Sequence, residues 1–236
     1  MKKEDSFSRY SRQIFIEEIG LEGQKKISSS KVLVIGAGGL GSPVIQYLAA
    51  AGVGTLGVAD FDEVELHNLN RQIIHTENRV GLSKVKSAET FVGELNHQIT
   101  FIGIEEKINE NNAEVILSQY DVIVDGSDNF STRYLVNDTC VKLKKTLVYG
   151  SILGFSGQVA VFNHNGSKNL RDIFPEPPFD EDVPDCDSLG VLGALPGMIG
   201  SMMALQALKI IIDLPASVNQ MTLVDTMKWR FQTIDF

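Results

Sequence analysis

The 236-residue chain carries 30 acidic and 21 basic side chains, a formal charge of −9 at pH 7. Its length and its 43% hydrophobic content suit one folded domain and exclude a wholly disordered or collagen-like chain. The acidic balance argues against nucleic acid as the main partner, and two cysteines exclude both a disulfide framework and a Cys₄ zinc site.

Short apolar runs alternate with helical segments up to residue 149. Residues 31–35 form an apolar run that ends in glycines, which is typical of a buried parallel strand. Ser83 is a suitable N-cap for a helix that begins at Lys84. Further strands are predicted at 55–59, 99–104, 122–125 and 146–149, and helices at 39–51, 84–95, 111–118 and 130–143. This order predicts an α/β fold, a Rossmann-like, doubly wound, mostly parallel sheet with helices on both faces.

The last third of the chain has a different character. Residues 157–162 alternate as a strand, and a long crossover loop at about 163–187 holds four of the seven prolines and many acids. An apolar helix and two antiparallel C-terminal strands, 221–224 and 229–234, follow. Without an internal repeat or a long linker, the chain is predicted to be one domain, 1–236, with an N-terminal arm at 1–30.

One stretch of the chain requires a membrane test. Residues 189–205 contain no charged side chain, and about 18 apolar residues are enough to span a bilayer. Pro196 and several glycines interrupt the stretch, so we expect no membrane and favour a helix buried on all sides or in a dimer contact. Because no apolar leader follows Met1, we also expect a cytoplasmic protein.

A glycine motif follows the first strand directly. Residues 36–41 read Gly-Ala-Gly-Gly-Leu-Gly and open the next helix. Glycines let a backbone approach phosphate oxygens, and a helix N-terminus favours negative charge. Asp60 ends the second strand about 20 residues later, where a carboxylate accepts hydrogen bonds from ribose hydroxyls. The motif therefore predicts an adenine nucleotide, with NAD as the usual choice; a glycine turn that only packs strand on helix is the structural alternative.

Polar residues beyond the motif are unlike those of an oxidoreductase. Asn68, Arg71 and Lys84 follow the second strand, and this amide and these two cations suit a triphosphate. Asp128 follows the fourth strand, and a carboxylate at that edge suits Mg²⁺. Taken singly, Arg71 also fits a solvated loop and Asp128 also fits a helix N-cap.

Six segments together form a pattern that runs from residue 9 towards the C-terminus: Arg9-Tyr10-Ser11-Arg12-Gln13, the glycine motif, Asp60-Phe61-Asp62, Asn68-Leu69-Asn70-Arg71-Gln72, Val80-Gly81-x-x-Lys84 and Ser127-Asp128-Asn129. This pattern resembles the ThiF/MoeB/HesA group, the bacterial relatives of ubiquitin-activating enzymes. The resemblance implies a homodimeric, ATP-dependent adenylyltransferase. Its substrate would be the C-terminal glycine of a ubiquitin-like sulfur-carrier protein, of the ThiS type (thiamine) or the MoaD type (molybdopterin), with a C-terminal Gly-Gly.

The resemblance also implies a role for each matching residue. The nucleotide would be lined by Gly36, Gly38, Gly39, Gly41, Asp62 and Gln72, with Asp60 on the ribose, Asn68, Arg71 and Lys84 on the triphosphate, and Asp128 on Mg²⁺. Arg12 would reach the phosphates of the neighbouring protomer, so that each site needs two chains. Cys186 matches a position where relatives in the thiamine branch form a covalent bond with the activated carrier. A thiolate suits that role, although Asp185 and Asp187 would raise its pKa.

The chain departs from the family in two ways. The paired Cys-x-x-Cys motifs of many members are missing, so we expect no structural zinc. No rhodanese-like segment follows either, so we expect a separate sulfur donor protein and lean towards thiamine synthesis. The alternatives are an enzyme that dehydrates threonylcarbamoyl-adenosine in tRNA, an NAD-dependent oxidoreductase and an inactive binding module.

Overall fold

The structure, a computed structural model, describes residues 3–178 and 190–236. Its helices are α1 (Lys3–Ile14), α2 (Gly20–Ser29), α3 (Gly41–Ala51), α4 (Lys84–Leu95), α5 (Ala113–Leu117), α6 (Phe130–Leu143), α7 (Leu170–Ile173) and α8 (Ala194–Ile211). Its strands are β1 (Lys31–Ile35), β2 (Thr55–Ala59), β3 (Thr100–Ile104), β4 (Val122–Asp125), β5 (Thr146–Leu153), β6 (Ser156–Phe162), β7 (Gln220–Asp225) and β8 (Arg230–Asp235).

Within the described residues, the strands form one eight-stranded sheet in the order β3-β2-β1-β4-β5-β6-β7-β8. The pairs among β1 to β5 are parallel, whereas β5 to β8 pair antiparallel. The chain builds outward from β1 through β2 to β3, then returns to place β4 on the other side of β1. This reversal creates a crevice beside β1 at the carboxyl ends of the strands, and the predicted fold class is confirmed.

Two hydrophobic cores lie on opposite faces of the sheet. One joins side chains of β1, such as Val34, to residues of α3, α4 and α8. The other joins the alternate side chains, such as Leu33 and Ile35, to residues of α5 and α6. Because successive strand residues point to opposite faces, both faces of the central strands are buried. This explains why these strands read as continuous apolar runs.

The apolar helix α8 is covered on one side. Ile199 and Met203 are fully buried, and Gly200 lets α8 approach α3, since a Cβ there would lie 2.4 Å from the Leu40 carbonyl oxygen. By length and composition α8 is able to span a membrane, but 44% of it is buried inside the fold. Leu205 on its outer side is 57% exposed. Burial on all sides is therefore wrong for the single chain, and a dimer contact stays a prediction.

The described part of the crossover segment is more ordered than the predicted loop. Asn169 caps the helical turn α7, and Arg171 forms two 2.8 Å bonds to the Asp138 carboxylate on α6. The Tyr134 hydroxyl oxygen lies 2.9 Å from the carbonyl oxygen of Phe174 and 2.8 Å from that of Glu176, and its single proton is shared between these two acceptors. These contacts attach the start of the segment to α6. Its remainder, with Cys186, lies outside the described residues.

Candidate nucleotide-binding site

The predicted site loops meet at the carboxyl ends of β1, β2 and β4. The amide of Gly36 donates to the carbonyl oxygen of Ala59, at 2.8 Å, and the amide of Gly126 donates to Ile35 at the same distance. The loop after β1 therefore lies between the loops after β2 and β4. This is the edge of an α/β sheet where ligands bind.

The glycines of residues 36–41 have different local surroundings. Gly36 has a φ of +88°, and a Cβ there would lie 2.9 Å from the Gly126 carbonyl oxygen. At Gly41 a Cβ would lie 1.8 Å from the Gly36 carbonyl oxygen, so the turn requires glycine at both ends. Gly38 is open: among the described residues only Nε2 of Gln72, at 3.7 Å, lies within 4 Å of its Cβ position. Gly39 packs against Pro196 of α8. The open side of the loop is therefore at Gly38.

Asp60 braces the glycine loop from the neighbouring strand. One carboxylate oxygen accepts from the amide of Ala37 at 2.7 Å, and the other from the amide of Asp62 at 2.9 Å. Burial raises the pKa of Asp60, while the nearby Lys84 charge opposes that rise. A carboxylate oxygen with one bond retains a lone pair. The carboxylate is thus fixed in place and still able to accept from a ribose hydroxyl.

Asp62 holds Lys84 in place. Its carboxylate lies 2.8 Å from the Lys84 ammonium, and its carbonyl oxygen accepts from the Lys84 amide at 2.9 Å. Lys84 is the first residue of α4, capped by Ser83 as predicted, and its side chain is only 9% exposed. An ammonium at this depth is desolvated, so its attraction to a phosphate is stronger than at the surface.

The segment 66–72 forms a compact turn beside the glycine loop. Asn68 is buried, and its side-chain oxygen caps the 3₁₀ turn by accepting from the Glu65 amide at 3.0 Å. The Arg71 guanidinium donates to the His67 carbonyl oxygen at 3.1 Å. Gln72 is 4% exposed, and its amide oxygen finds no hydrogen-bond partner in the described parts of the chain. Nε2 of the same amide group lies 3.7 Å from the Gly38 Cβ position, so the side chain borders the open side of the loop, and its oxygen suits a ligand donor.

Asp128 is an exposed carboxylate at the end of the β4 loop. The helix N-cap role belongs to Asn129, whose side-chain oxygen accepts from the Thr132 amide at 2.9 Å. The N-cap alternative for Asp128 is therefore wrong. Asp128 accepts one 3.3 Å bond from the Asn129 amide group, which leaves carboxylate lone pairs for a cation.

Arg133 and Asp125 support this loop from behind, and the sequence pattern gave no signal for either. The buried Arg133 guanidinium donates to the carbonyl oxygens of Ser127 and Gly150, and so connects the β4 loop to β5. Asp125 is fully buried, and its carboxylate accepts from the Ser127 amide at 2.9 Å. Burial raises the pKa of Asp125, while the Arg133 charge lowers it.

A second unpredicted contact comes from the start of the apolar stretch. At Gly193 a Cβ would lie 2.0 Å from the Asn70 carbonyl oxygen. In the sequence this glycine is only one of several that interrupt the apolar stretch. Because the backbone beside Arg71 packs directly on it, Gly193 sets the position of that loop.

Arg12 is not brought to the site of its own chain. It is exposed near the end of α1, and α1 contacts the C-terminal end of α4, where Arg9 donates to the Leu95 carbonyl oxygen. Lys84 is at the other end of α4, which is roughly 16 Å away along the helix axis. A role for Arg12 therefore requires the site of another chain.

The described residues contain no group of three or more His, Cys, Asp or Glu side chains arranged to hold a metal ion. The expected lack of structural zinc stays a prediction. Cys140 is fully buried in α6. Burial raises the pKa of its thiol, so Cys140 is not a nucleophile.

The chain matches known proteins over most of its length. The model of the ThiF family matches residues 10–236. The chain is 52% identical over 208 residues to "adenylyltransferase and sulfurtransferase MOCS3" of Culex quinquefasciatus, covering 88% of this chain and 48% of that protein. MOCS3 of Xenopus laevis is 47% identical, covering 96% of this chain and 50% of that protein, and "adenylyltransferase and sulfurtransferase MOCS3-1" of Zea mays is 46% identical, covering 98% of this chain and 49% of that protein. The chain spans about half the length of these relatives.

Solved structures share the fold at low sequence identity. The crystal structure of PaaA superposes with a TM-score of 0.84 at 20% identity, covering 100% of this chain and 74% of that chain. A crystal structure of Escherichia coli MccB with ATP superposes with a TM-score of 0.83 at 21% identity, covering 96% of this chain and 71% of that chain. At this identity the likeness concerns the fold alone.

Proposed function

The chain belongs to the ThiF family, and we propose from this that it is an adenylyltransferase that activates the C-terminal glycine of a ubiquitin-like sulfur-carrier protein with ATP. A carboxylate oxygen of the carrier attacks the α-phosphorus, the bond from that phosphorus to the bridging oxygen breaks, and pyrophosphate leaves. The product is an acyl-adenylate. The observation that supports this proposal most is the arrangement around the glycine loop. The cations Arg71 and Lys84 lie on one side of the loop, and the exposed Asp128 carboxylate lies on the other.

The described site is suited to a reaction that needs no protein nucleophile. The carrier supplies the attacking oxygen, so the enzyme must align it and neutralise the leaving pyrophosphate. Lys84 is fixed by Asp62 and nearly buried, and Arg71 is held by the segment 66–72. Both cations are positioned before the reaction, which is how electrostatic catalysis avoids reorganisation in the transition state.

The nucleotide fits the loop by chemistry. In our assignment Asp60 and Asp62 fix the ribose side of the pocket, and Gly38 and Gly39 approach the phosphates. Asn68, Arg71 and Lys84 bind the triphosphate, and Gln72 offers its unpaired amide oxygen as an acceptor. Asp128 fits Mg²⁺, since it is exposed and is not used as a helix cap. A bound Mg²⁺ would offset negative charge on the phosphates.

A homodimer completes the proposed site. Arg12 is exposed on an element that lies away from Lys84 of its own chain, which supports its action on a partner's phosphates. The half-exposed apolar side of α8, with Leu205, supports an interface between two copies. We place the enzyme in the cytoplasm.

The identity of the carrier is the finer part of the proposal. Both carrier types implied by the sequence pattern, ThiS-type and MoaD-type, end in Gly-Gly and fit the same chemistry. The relatives described as MOCS3 combine adenylyltransferase and sulfurtransferase in their name, and this chain spans about half of them. A separate protein as the sulfur donor stays a proposal. The names of these relatives do not support the expectation that the pathway is thiamine synthesis.

The decisive experiment is exchange of labelled pyrophosphate into ATP with purified protein, Mg²⁺ and each carrier type. We expect exchange with one carrier that ends in Gly-Gly, and none with the same carrier lacking its last glycine. Exchange with neither carrier type would contradict the proposal. A change in NADH absorbance with a candidate substrate would instead revive the oxidoreductase, and ATP-dependent dehydration of threonylcarbamoyl-adenosine in tRNA would favour that branch.

A further inference from the structure

Both backbone polar groups of Ala37, in the glycine loop, are held by side chains. Its amide donates to Asp60 at 2.7 Å, and its carbonyl oxygen lies 2.9 Å from Nε2 of His75. His75 is 5% exposed and belongs to neither the glycine motif nor the cluster of charged site residues. A buried histidine bonded to this loop has no role in the adenylation chemistry described above.

His75 also connects the loop to helix α4. Its Nδ1 lies 2.8 Å from the hydroxyl of Ser87, which is three residues after Lys84 on α4. The amide of Asp62 donates to Asp60, and the Asp62 carboxylate pairs with Lys84. The contacts therefore close a ring, from α4 through His75 to the glycine loop, and back to α4 through the two aspartates.

The hydrogen bonds fix the tautomer of His75. A carbonyl oxygen only accepts, so Nε2 carries the proton and donates to Ala37, while Nδ1 accepts from the Ser87 hydroxyl. Burial lowers the pKa of His75, and the charges of Lys84 and Arg79 lower it further, although the bond to Ala37 opposes them. The ring is therefore neutral at pH 7 and rigidly oriented.

This orientation determines the direction of the next amide. A trans peptide is planar, so its C=O and N–H point in opposite directions. Because the Ala37 carbonyl points to His75, the Gly38 N–H points the other way, away from His75. That N–H makes no hydrogen bond within 3–178 or 190–236.

We propose that His75 is a positioning residue that aims the Gly38 amide at a nucleotide phosphate by holding the Ala37 carbonyl on the opposite side. The inference rests on the proposed function, since it requires ATP in this loop. His75 itself does not touch the nucleotide. The hydrogen bond that His75 donates keeps the lone pairs of the Ala37 carbonyl oxygen away from the phosphate. The phosphate then faces the Gly38 N–H, which is a donor.

The test compares His75→Leu with His75→Gln by calorimetric titration of the whole chain with ATP and Mg²⁺. Leucine fills the space without a donor, whereas glutamine places an amide N–H at about the depth of Nε2. We expect the leucine variant to bind ATP about tenfold more weakly, and the glutamine variant to stay within about threefold of wild type. In the pyrophosphate exchange assay the loss in the leucine variant should raise KM for ATP more than it lowers kcat.

The outcomes separate this inference from the proposed function. Wild-type protein that binds no ATP contradicts the proposed function. A different result overturns only the role of His75. In that case wild-type protein binds ATP, and the His75→Leu variant, melting at the wild-type temperature, binds ATP with the same dissociation constant. Equal weakening in the leucine and glutamine variants also overturns it, because a general packing defect would explain both.

A second measurement does not require the leucine variant to fold. The ¹⁵N signals of the imidazole in wild-type protein should be those of the Nε2–H tautomer, and ATP should shift the Gly38 amide resonance strongly. Ser87→Ala removes the donor to Nδ1 and should weaken ATP binding two- to threefold by releasing the tautomer. An Nδ1–H tautomer in wild type, or a Gly38 resonance that ATP leaves unmoved, would overturn the inference.

Discussion

The parallel and antiparallel halves of the sheet are built differently. In β1 and β4 nearly every residue is buried, and the loops at their carboxyl ends hold the candidate site. In β8 every residue is exposed. Trp229, just before β8, packs edge-on against Phe231 on the surface, with 5.6 Å between the ring centroids. Helices on both faces fix the parallel strands, so the site residues rest on a rigid support. Stability and chemistry are therefore expected to concentrate in the parallel half.

The largest expected effect is on stability. Leu33→Ala, in the buried centre of β1, should lower the free energy of unfolding by about 3 kcal/mol, because a fully buried leucine leaves a cavity. The matched change in the antiparallel half is Ile234→Ala in β8, where the side chain is 44% exposed and the loss should be about 0.5 kcal/mol. Denaturant unfolding measures both. Equal losses in the free energy of unfolding would contradict the proposed difference in stability between the two halves of the sheet.

The next effect is on activity. Lys84→Ala should lower pyrophosphate exchange about 100-fold, because one preorganised charge at developing negative charge is removed. Arg71→Ala should act in the same direction. Lys228→Ala is the control, since it removes a surface lysine in the antiparallel half, and its exchange rate should be unchanged. Wild-type exchange in the Lys84 and Arg71 variants would refute the assignment of the site.

A third experiment tests whether the nucleotide site of the parallel half is complete within one chain. Arg12→Ala and Asp128→Ala should each be inactive alone. When the two are mixed and allowed to exchange subunits, about a quarter of the wild-type exchange activity should return, because half the dimers are mixed and each holds one intact site of two. Sedimentation as a monomer at assay concentration would contradict the shared site.

The smallest effect on adenylation is expected at Cys186. Cys186→Ala should leave pyrophosphate exchange unchanged and remove a covalent carrier adduct, which mass spectrometry of the reaction mixture detects. Cys140→Ala serves as the comparison, because its thiol is buried and the adduct should persist. Full sulfur transfer by the Cys186 variant would show that adenylation is this chain's whole contribution.

The elements of the parallel half were predictable because each carries its own signal. The sequence predicts the bounds of two strands and two helices as the structure has them: Thr55–Ala59, Val122–Asp125, Lys84–Leu95 and Phe130–Leu143. The fifth strand was predicted to end at 149, yet it continues to Leu153. Its parallel pairing stops at Tyr149, and the additional residues pair antiparallel with β6. That extension depends on a partner strand, which local sequence does not identify.

Parts of the site were predictable for the same reason, and parts were not. The glycine motif, Asp60 and Lys84 are found at the expected strand and helix ends, because position after a strand fixes which edge of a parallel sheet a residue occupies. Asp128 and Asn129 are adjacent and both able to cap a helix, so only the observed hydrogen bond assigns the cap to Asn129.

The sequence by itself determined the order of strands and helices, the phosphate-binding turn and the types of charge around it, since these depend on periodicity and on residue chemistry at close range. The tertiary structure alone decided that His75 holds the glycine loop, that Arg133 connects β4 to β5, and that Gly193 packs beside Arg71. The bond from Arg133 to Gly150 spans 17 positions, the bond from His75 to Ala37 spans 38, and the contact of Gly193 with Asn70 spans 123. Such contacts depend on how the whole chain folds back on itself, and no local pattern encodes them.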